Sequence, residues 1–544
     1  MNGADLLVRA LKASGVSVVT TLSGNGLNPF YVACRRGELR FVDFRNEQAA
    51  AYAAEAQAKL TRRLGVCAVS SGVAHLNALA GIANAYFDGV PVLLITGESD
   101  RARADQGRFQ DMDHVATATP LCKYARLVDR AERIPFYVHE ACARAVAGRP
   151  GPVHLSIPMD VLNDEVDPAL AGQLRPSDAL VAPRAAADPA LIAEAAALLA
   201  KAQRPLLIAG SGVFWAQAGD ALGGLAGSML LPVQTPIWDR GAVEDPAPYY
   251  FGVIGAASGG PQLLADADLI MLVGAQVDYR TGYMEAPAIR RDAKVVRIDA
   301  DPANLRQGVE PDAAILGDPR SALAALTAEL ARRGVAPYAA WREEADRRYR
   351  QWRQRWTGPL PAEPLTGHHV VEALRPLLDE QTLLLADGGN IGQWVHQVLG
   401  DRYPGHWLTC GASGVVGWGL GGAIGAKLIY PDRPEILLSG DGSIGFTIAE
   451  LETAVRHGTP FVVVLADDKY WGIVASGQLR TYGPEGVLGC QLGPVRYDLV
   501  AEGFGALGLR AEKQEDILPA VRQGLASGRP TLVHVPITRG GPSD

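Results

Sequence analysis

Two carboxylates that emerge together from neighbouring strands can hold a hard cation, and glycines beside them let the backbone close on phosphate oxygens. Ser439-Gly440-Asp441-Gly442-Ser443 has that form. It follows a short apolar run, Ile436–Ser439, and precedes a helix predicted over Phe446–His457. A second apolar run, Val462–Ala466, then closes on Asp467-Asp468-Lys469-Tyr470. A strand–helix–strand unit crosses over right-handed and leaves its strands parallel, so their carboxyl ends emerge on one side. Asp441 and Asp468 would then reach one divalent ion such as Mg²⁺, with Gly440 and Gly442 admitting a diphosphate at the helix N-terminus.

Other segments carry useful groups whose residue types leave two readings open. Phe44-Arg45-Asn46-Glu47-Gln48 opens an Ala-rich helix after the strand-like Leu39–Phe44. A lone Glu there reads first as a cap or dipole residue and second as an acid/base group. Ser71-Gly72-Val73-Ala74-His75-Leu76-Asn77 contains His75, either a satisfied structural histidine or an acid/base toward a carbonyl. Gly107-Arg108-Phe109-Gln110-Asp111 offers Arg108, whose guanidinium suits a carboxylate. Gly388-Gly389-Asn390 and Gly411–Gly425 are glycine-rich stretches that read as close helix packing or as ligand contact.

The elements that must position these residues recur along the chain. Val66–Ser70, Val92–Thr96, Leu206–Ala209, Leu269–Val273, Val295–Ile298, Leu383–Ala386 and Leu532–Val535 join the two runs above as short, wholly apolar strands between helices. Strands apolar on both faces belong to parallel sheets covered by helices, which bind ligands at their carboxyl ends. A Pro/Asp/Ala-rich stretch at Asp164–Asp188 and an Arg/Trp-rich helix followed by a connector at Gly334–Pro364 divide the chain into units of about 1–165, 185–335 and 360–540. The first and third share an echo, Gly89-Val90-Pro91 and Gly458-Thr459-Pro460, each a turn before a buried strand.

The 544 residues are 48% hydrophobic and 20% charged, which excludes a disordered or fibrous chain. Lys+Arg 51 against Asp+Glu 59 gives −8, so no basic field attracts nucleic acid or an anionic membrane. Six scattered cysteines without a CxxC pair fit a reducing cytoplasm, and neither a signal peptide nor a membrane span is expected.

The GDGS segment and the acidic pair closing the next apolar strand resemble the signature of thiamine-diphosphate enzymes. Within these the chain is similar to the acetohydroxyacid synthase family, with oxalyl-CoA decarboxylase and 2-hydroxyacyl-CoA lyase as near relatives, over nearly its whole length. The resemblance implies three doubly wound parallel-sheet α/β domains: pyrimidine-binding at 1–165, central and Rossmann-like at 185–335, and diphosphate-binding at 360–540. It implies thiamine diphosphate and Mg²⁺, with Asp441, Asp468 and the carbonyl of Tyr470 as metal ligands. Asp468 stands where relatives usually have Asn, which adds a negative charge beside the diphosphate. Cofactor contacts are implied for Gly24, Asn77, Asp387, Asn390, Gly414, Gly440, Gly442, Ser443, Trp471, Gly472 and Ile473, with Val416 as the wedge where Met or Leu is usual.

The same resemblance makes Glu47 the acid that shuttles a proton at the aminopyrimidine N1′ and sets Gln110 in the active site, while His75, a titratable group unusual at that place, is expected as a third catalytic residue. Arg108, Phe109, Trp471 and Gly477 are implied as walls of the substrate pocket. Relatives join such halves across a subunit interface, so a homodimer at least, and a homotetramer by expectation, is implied. Gly210-Ser211-Gly212 is not a GxGxxG fingerprint, which leaves FAD, ADP or nothing for the central domain. Gly477 replaces the Trp of acetohydroxyacid synthases, and Met159 replaces a usual Lys. The expected activity is therefore cleavage or formation of a C–C bond beside a carbonyl, acetolactate-synthase-like but with a non-standard small carbonyl or acyl substrate. The alternatives are 2-hydroxyacyl-CoA or oxalyl-CoA cleavage, a flavin-dependent 2-oxo acid oxidase, and an inactive structural paralogue.

Overall fold

Apolar runs alternating with helices leave strands covered on both faces, and the computed structural model of the chain contains three such sheets, each six-stranded and parallel throughout. It describes residues 1–544 except 175–183, 240, 242, 244–247, 256–259, 401–405 and 543–544. The middle of the expected Asp164–Asp188 linker, residues 175–183, lies outside the described residues.

The first sheet comprises β1 (Val18–Leu22), β2 (Arg40–Asp43), β3 (Gly65–Val69), β4 (Val92–Glu98), β5 (Tyr124–Leu127) and β6 (Val153–Pro158), in the order β2-β1-β3-β4-β6-β5. The second comprises β7 (Pro205–Ala209), β8 (Val233–Pro236), β9 (Tyr250–Ile254), β10 (Leu269–Val273), β11 (Lys294–Asp299) and β12 (Ala313–Leu316), in the order β12-β11-β10-β7-β8-β9. The third comprises β13 (Leu383–Ala386), β14 (His406–Thr409), β15 (Glu435–Gly440), β16 (Val462–Asp467), β17 (Leu507–Arg510) and β18 (Thr531–Pro536), in the order β14-β13-β15-β16-β18-β17. The first and third orders are the same permutation. Gly89 and Gly458, from the sequence echo, both close a helix in the left-handed conformation, at φ 66 and φ 60. Open sheets of this kind place ligands where the strand order reverses, here between β1 and β3, between β7 and β10, and between β13 and β15.

Six helices position the candidate residues: α1 (Glu47–Thr61), α2 (Val73–Asp88), α3 (Asn390–Val398), α4 (Trp418–Ile429), α5 (Asp441–Thr447) and α6 (Gly472–Tyr482). The helix predicted from Phe446 begins earlier, at Asp441, and breaks before a second, separate helix at Glu450–His457. Thus the carboxylate of the Gly-Asp-Gly turn is itself the first helical residue.

Ala-rich α1 is buried along nearly its whole length, its polar residues included. It lies between α2 and α4, and its alanines join one core that runs from the first sheet into the third. Small residues allow backbone-to-backbone approach. A Cβ at Gly425 would lie 2.5 Å from the Ala53 carbonyl oxygen, and one at Gly421 would lie 2.6 Å from that of Ala49. The same seam buries Glu55, whose Oε1 pairs with Lys59 at 2.7 Å while Oε2 accepts from Asn84 and from the Trp418 indole. Lys59 also meets Asp88 at 2.7 Å. The first and third lobes are therefore joined by one rigid seam.

Val at Gly425 should lower the thermal midpoint by several degrees, because overpacking costs ~1–3 kcal/mol and the obstructing atom is backbone. Ala at Gly477, where a Cβ meets nothing within 4 Å, should leave the midpoint unchanged or raise it slightly. Calorimetry on the two variants checks the contrast, and equal midpoints would mean that α1 and α4 can separate freely.

Candidate active site

A cavity of about 180 Å³ opens at the carboxyl ends of β13, β15 and β16. Of the residues expected against the cofactor, Asn390, Gly414, Val416, Gly440, Asp441, Gly442, Ser443, Asp468, Tyr470, Trp471, Gly472 and Ile473 line it. Gly440 ends β15 in extended conformation and Asp441 starts α5, so unpaired helix N–H groups sit beside the carboxylate. Asp441 is 2% exposed and its buried Oδ2 has no hydrogen-bond partner. Burial, then Asp468 and Asp467, push its pKa up to about 7. Burial and Asp467 likewise raise Asp468 to about 6, against the pull of the Tyr470 amide and Arg539.

Asp467, first of the acidic pair, is already spent. Its Oδ2 lies 2.9 Å from His534 Nε2, and the other face of that buried ring is 3.4 Å from Asp498. Asp468 accepts the Tyr470 amide at 2.9 Å, and the left-handed Lys469 (φ 61) bends the chain between them. The Nδ2 of Asn390 is also buried without a partner. One acceptor and one donor thus face the cavity unspent. Two glycines keep it open: a Cβ at Gly442 would lie 2.7 Å from the Trp471 ring, and one at Gly472 2.7 Å from Asn390 Nδ2 and 2.8 Å from Asp468 Oδ2. Two carboxylates, an amide donor and a helix N-terminus around an open cradle suit a cation held against phosphate oxygens.

Asp387 is the exception in this lobe. Burial raises its pKa to about 6, against hydrogen bonds from the Gly388, Gly419 and Trp418 amides and from Ser439. It anchors the start of α4 and does not line the cavity, which corrects the expectation of a direct cofactor contact. Trp394, Ile537 and Gly540 line the cavity and were not expected. Trp394 lies one helical turn after Asn390 and donates to the Gly540 carbonyl at 3.1 Å. The tail residues follow β18, which pairs with β16, and that adjacency has no signal in the sequence.

The first lobe gathers a second set at the ends of β1 and β3. Glu47 is the first residue of α1, 8% exposed, behind Asn46, whose side chain caps the helix through the Gln48 amide. Asn77 Nδ2 donates to Glu47 Oε2 at 3.1 Å, so the asparagine expected at the cofactor orients the glutamate. Gly24 packs on Ser70, where a Cβ would lie 2.5 Å away. Ser71 Oγ donates to Gln110 Oε1 at 3.2 Å, and Gln110 holds φ 60. None of these residues lines the 180 Å³ cavity of the same chain.

One expectation here is corrected. His75 has no exposed surface, and its ring nitrogens lie 2.9 Å from Thr96 Oγ1 and 3.0 Å from Thr117 Oγ1. Burial, then the neighbouring His114 ring, lowers its pKa to about 3. It is a sealed neutral ring and cannot trade protons with an acceptor. Arg108 is paired with Asp100 through Nη1, and both side chains are part-exposed. Gly477, on α6, lies outside the lining of the 180 Å³ cavity and faces open space, where a Cβ would meet nothing within 4 Å. Phe109, in contrast, is 81% exposed.

The central lobe has the close turn expected of a doubly wound sheet: a Cβ at Gly212 would lie 2.6 Å from the Gly274 Cα. A cavity of about 310 Å³ there is lined by Ser211, Gly212, Gly274, Asp299 and Asn304, with Arg62 and Arg149 from the first lobe. Ser211 and Trp215 also border a cavity of about 360 Å³ that reaches Lys59, Trp238 and Trp407. No helix among the described residues is long and apolar enough to cross a membrane.

Comparison with known proteins gives matches across all three lobes. Residues 1–117 match the thiamine pyrophosphate enzyme N-terminal TPP binding domain, 192–326 its central domain, and 387–535 its C-terminal TPP binding domain. The chain is 32% identical over 540 residues to a probable acetolactate synthase of Mycobacterium bovis, covering 98% of this chain and 95% of that protein. It is 30% identical over 540 residues to the acetolactate synthase isozyme 2 large subunit of Escherichia coli, covering 99% and 96%. It is 29% identical over 548 residues to the oxalyl-CoA decarboxylase of Escherichia coli, covering 98% and 95%.

Raised carboxyl pKa values give the cation-free protein a defined pH response. Asp441 and Asp468 bind protons more tightly folded than unfolded, where the value is 3.8. Their contribution to stability is full below that pH and is lost as pH climbs toward about 7. Asp441→Asn removes one of the repelling charges, so its midpoint without cation at alkaline pH should exceed the parent's. Mg²⁺ with thiamine diphosphate should stabilise the parent and fail on the variant, whose affinity falls at least roughly 100-fold. Scanning calorimetry with and without ligand reads both, and a parent indifferent to the ligands would exclude the cation site.

Proposed function

The chain belongs to the thiamine pyrophosphate enzyme family, of the acetolactate synthase type, and from that premise we propose that it is a Mg²⁺- and thiamine-diphosphate-dependent carbon–carbon lyase or ligase. It acts beside the carbonyl of a 2-oxo acid or related acyl compound other than the usual acetolactate pair. The observation that carries this is the unspent Oδ2 of Asp441 facing Asp468 in an open glycine cradle. Asp441, Asp468 and the Tyr470 carbonyl would hold the cation, while Gly440, Gly442, Ser443 and Asn390 would take the diphosphate. Gly414 and Val416 would seat the rings. When bound, the cofactor supplies an electron sink that makes a carbonyl carbon nucleophilic.

Glu47 would hold the proton at the aminopyrimidine N1′, its Oε2 oriented by Asn77. The half-sites of one chain do not share a cavity, which supports a dimer in which the first lobe of one protomer, 1–165, closes on the third lobe, 360–540, of its partner. Exposed apolar side chains flank both halves, Val73 and Leu76 on α2 and Ile473 and Val474 on α6, with Phe109 reaching outward. Burying such a surface is the ordinary drive for association, and a tetramer follows if two dimers pair. The 310 Å³ central cavity supports a nucleotide such as ADP or FAD. The six unpaired cysteines support a cytoplasmic location.

The open volume at Gly477 supports a bulkier or differently shaped acceptor than pyruvate. Cleavage of a CoA thioester is the second reading, favoured by the nearly full-length likeness to an oxalyl-CoA decarboxylase.

Glu47→Gln should leave cofactor affinity within about twofold while slowing C2 proton exchange of bound thiamine diphosphate by roughly 10²–10⁴, read by NMR after acid quench. Exchange at the parental rate would remove Glu47 from the mechanism. Gly477→Trp should shift the acceptor preference at least about tenfold toward small 2-oxo acids, the scale of one pocket contact. Competition between pyruvate and an aromatic aldehyde measures that shift, and rapid acetolactate formation by the parent would sink the substrate reading. Turnover of oxalyl-CoA by the parent would replace it with the second.

A further inference from the structure

Three histidines lie buried together behind the first-lobe half-site, and the mechanism above uses none of them. His75 packs 4.9 Å, ring to ring, from His114 on one side and 4.9 Å from His154 on the other. Thr96 Oγ1 stands between two of them, 2.9 Å from His75 Nδ1 and 3.0 Å from His154 Nε2. His114 differs from its neighbours in what it touches. Its Nε2 accepts the backbone N–H of Gly72 at 2.8 Å. A ring nitrogen that accepts is unprotonated, so the proton of a neutral His114 sits on Nδ1. That atom lies 3.1 Å from Glu98 Oε1, in ion-pair range though off hydrogen-bond alignment. Glu98 Oε2 in turn accepts from Ser156 Oγ.

Gly72 is a point where position matters. It caps α2 with φ 61, and a Cβ there would lie 2.5 Å from the Gln110 Cβ. Ser71 binds Gln110 Oε1, so the group Gln110 can present is its Nε2–H₂ donor, which suits a carbonyl or carboxylate oxygen. A buried backbone N–H needs a partner, and at Gly72 that partner is an imidazole from another segment. Its ring neighbours add no charge beside it: burial and the neighbouring His114 hold the His75 pKa far down, and burial and the other rings do the same for His154.

We propose that His114, steadied by Glu98, is a positioning residue whose Nε2 fixes the Ser71–Gly72 turn and, through it, the Gln110 amide that meets the substrate oxygen. The role rests on the proposed thiamine-dependent reaction for its catalytic consequence, but the positioning itself does not.

Gln in place of His114 can put an acceptor where Nε2 stands, whereas Asn reaches only the position of Nδ1. His114→Gln, His114→Asn and His114→Phe are compared in the full-length protein with thiamine diphosphate and Mg²⁺. Hydrogen–deuterium exchange is followed on peptides covering 70–73 and 109–111. Turnover uses whichever of pyruvate, 2-oxobutyrate and phenylglyoxylate the parent decarboxylates fastest. The Asn and Phe variants should exchange at least about tenfold faster in both peptides and lose about tenfold in kcat, the scale of a small misplacement. KM and cofactor affinity should stay within about twofold, and the Gln variant should return most of both losses. Unchanged exchange in the Asn variant, or a Gln variant no better than Asn, overturns the proposal. A parent that neither binds the cofactor nor turns over overturns the proposed function instead, and the exchange comparison still decides the positioning role.

Discussion

The approach of α1 to α4 through Ala49, Ala53, Gly421 and Gly425 is the contact on which the other features depend. It brings two helix backbones together with no side chains between them, and the carbonyl oxygens of α1 sit where any larger residue of α4 would have to go. Because α1 begins at Glu47 and α4 begins just after Val416, the seam sets the first lobe's acid and the third lobe's wedge in one frame. Buried charges reinforce it. Glu55 is shared by Lys59, Asn84 and Trp418, and removal of any one partner would strand a charge in a dry seam, which is costly. Asp88 carries the frame onward to the Ala412 amide, at the edge of the glycine-rich loop.

Against that frame the third-lobe site is built under tension. Asp441 and Asp468 repel each other in a part-buried space, and the fold relieves only the bystander, Asp467, through His534. The two remaining carboxylates stay close because β15 and β16 are neighbours in register, Gly440 opposite Ala466. The backbone thus holds in place a charge pair that would otherwise separate, which is how a rigid sheet edge prepares a cation site. The first lobe follows the opposite rule: its acid accepts the Asn77 amide, and burial holds His75 and His154 well below the usual imidazole range.

Much of this was legible where the signal is local. Apolar runs such as Val92–Thr96 and Val462–Ala466 became β4 and β16 with ends moved by a residue or two, and the Gly-Asp-Gly turn is contiguous. Strands β1 and β6 escaped because Thr20, Thr21, His154 and Ser156 interrupt them. Those polar groups are buried with partners on other elements, Thr20 Oγ1 on the Ala50 carbonyl for one. The edge strand β5 escaped because half its residues face water, and β17 because none of its residues is buried. Of the two readings open for His75, the acid/base one fails for a related reason: its position beside an expected pocket is visible in the chain, whereas the two threonines that satisfy it come from distant segments. Asp387 likewise looked like a ligand contact until the amides of α4 were seen to take it.

The shared permutation of the first and third sheets has a historical reading. One ancestral unit, copied within a gene, would have offered the same reversal point twice, so that a single inherited crevice could diverge into an acidic half and a cation-binding half. Descent of that kind limits later change. Any insertion that reorders strands in either copy would spoil a geometry matched to its twin, while the loops beyond the strand ends remain free to vary.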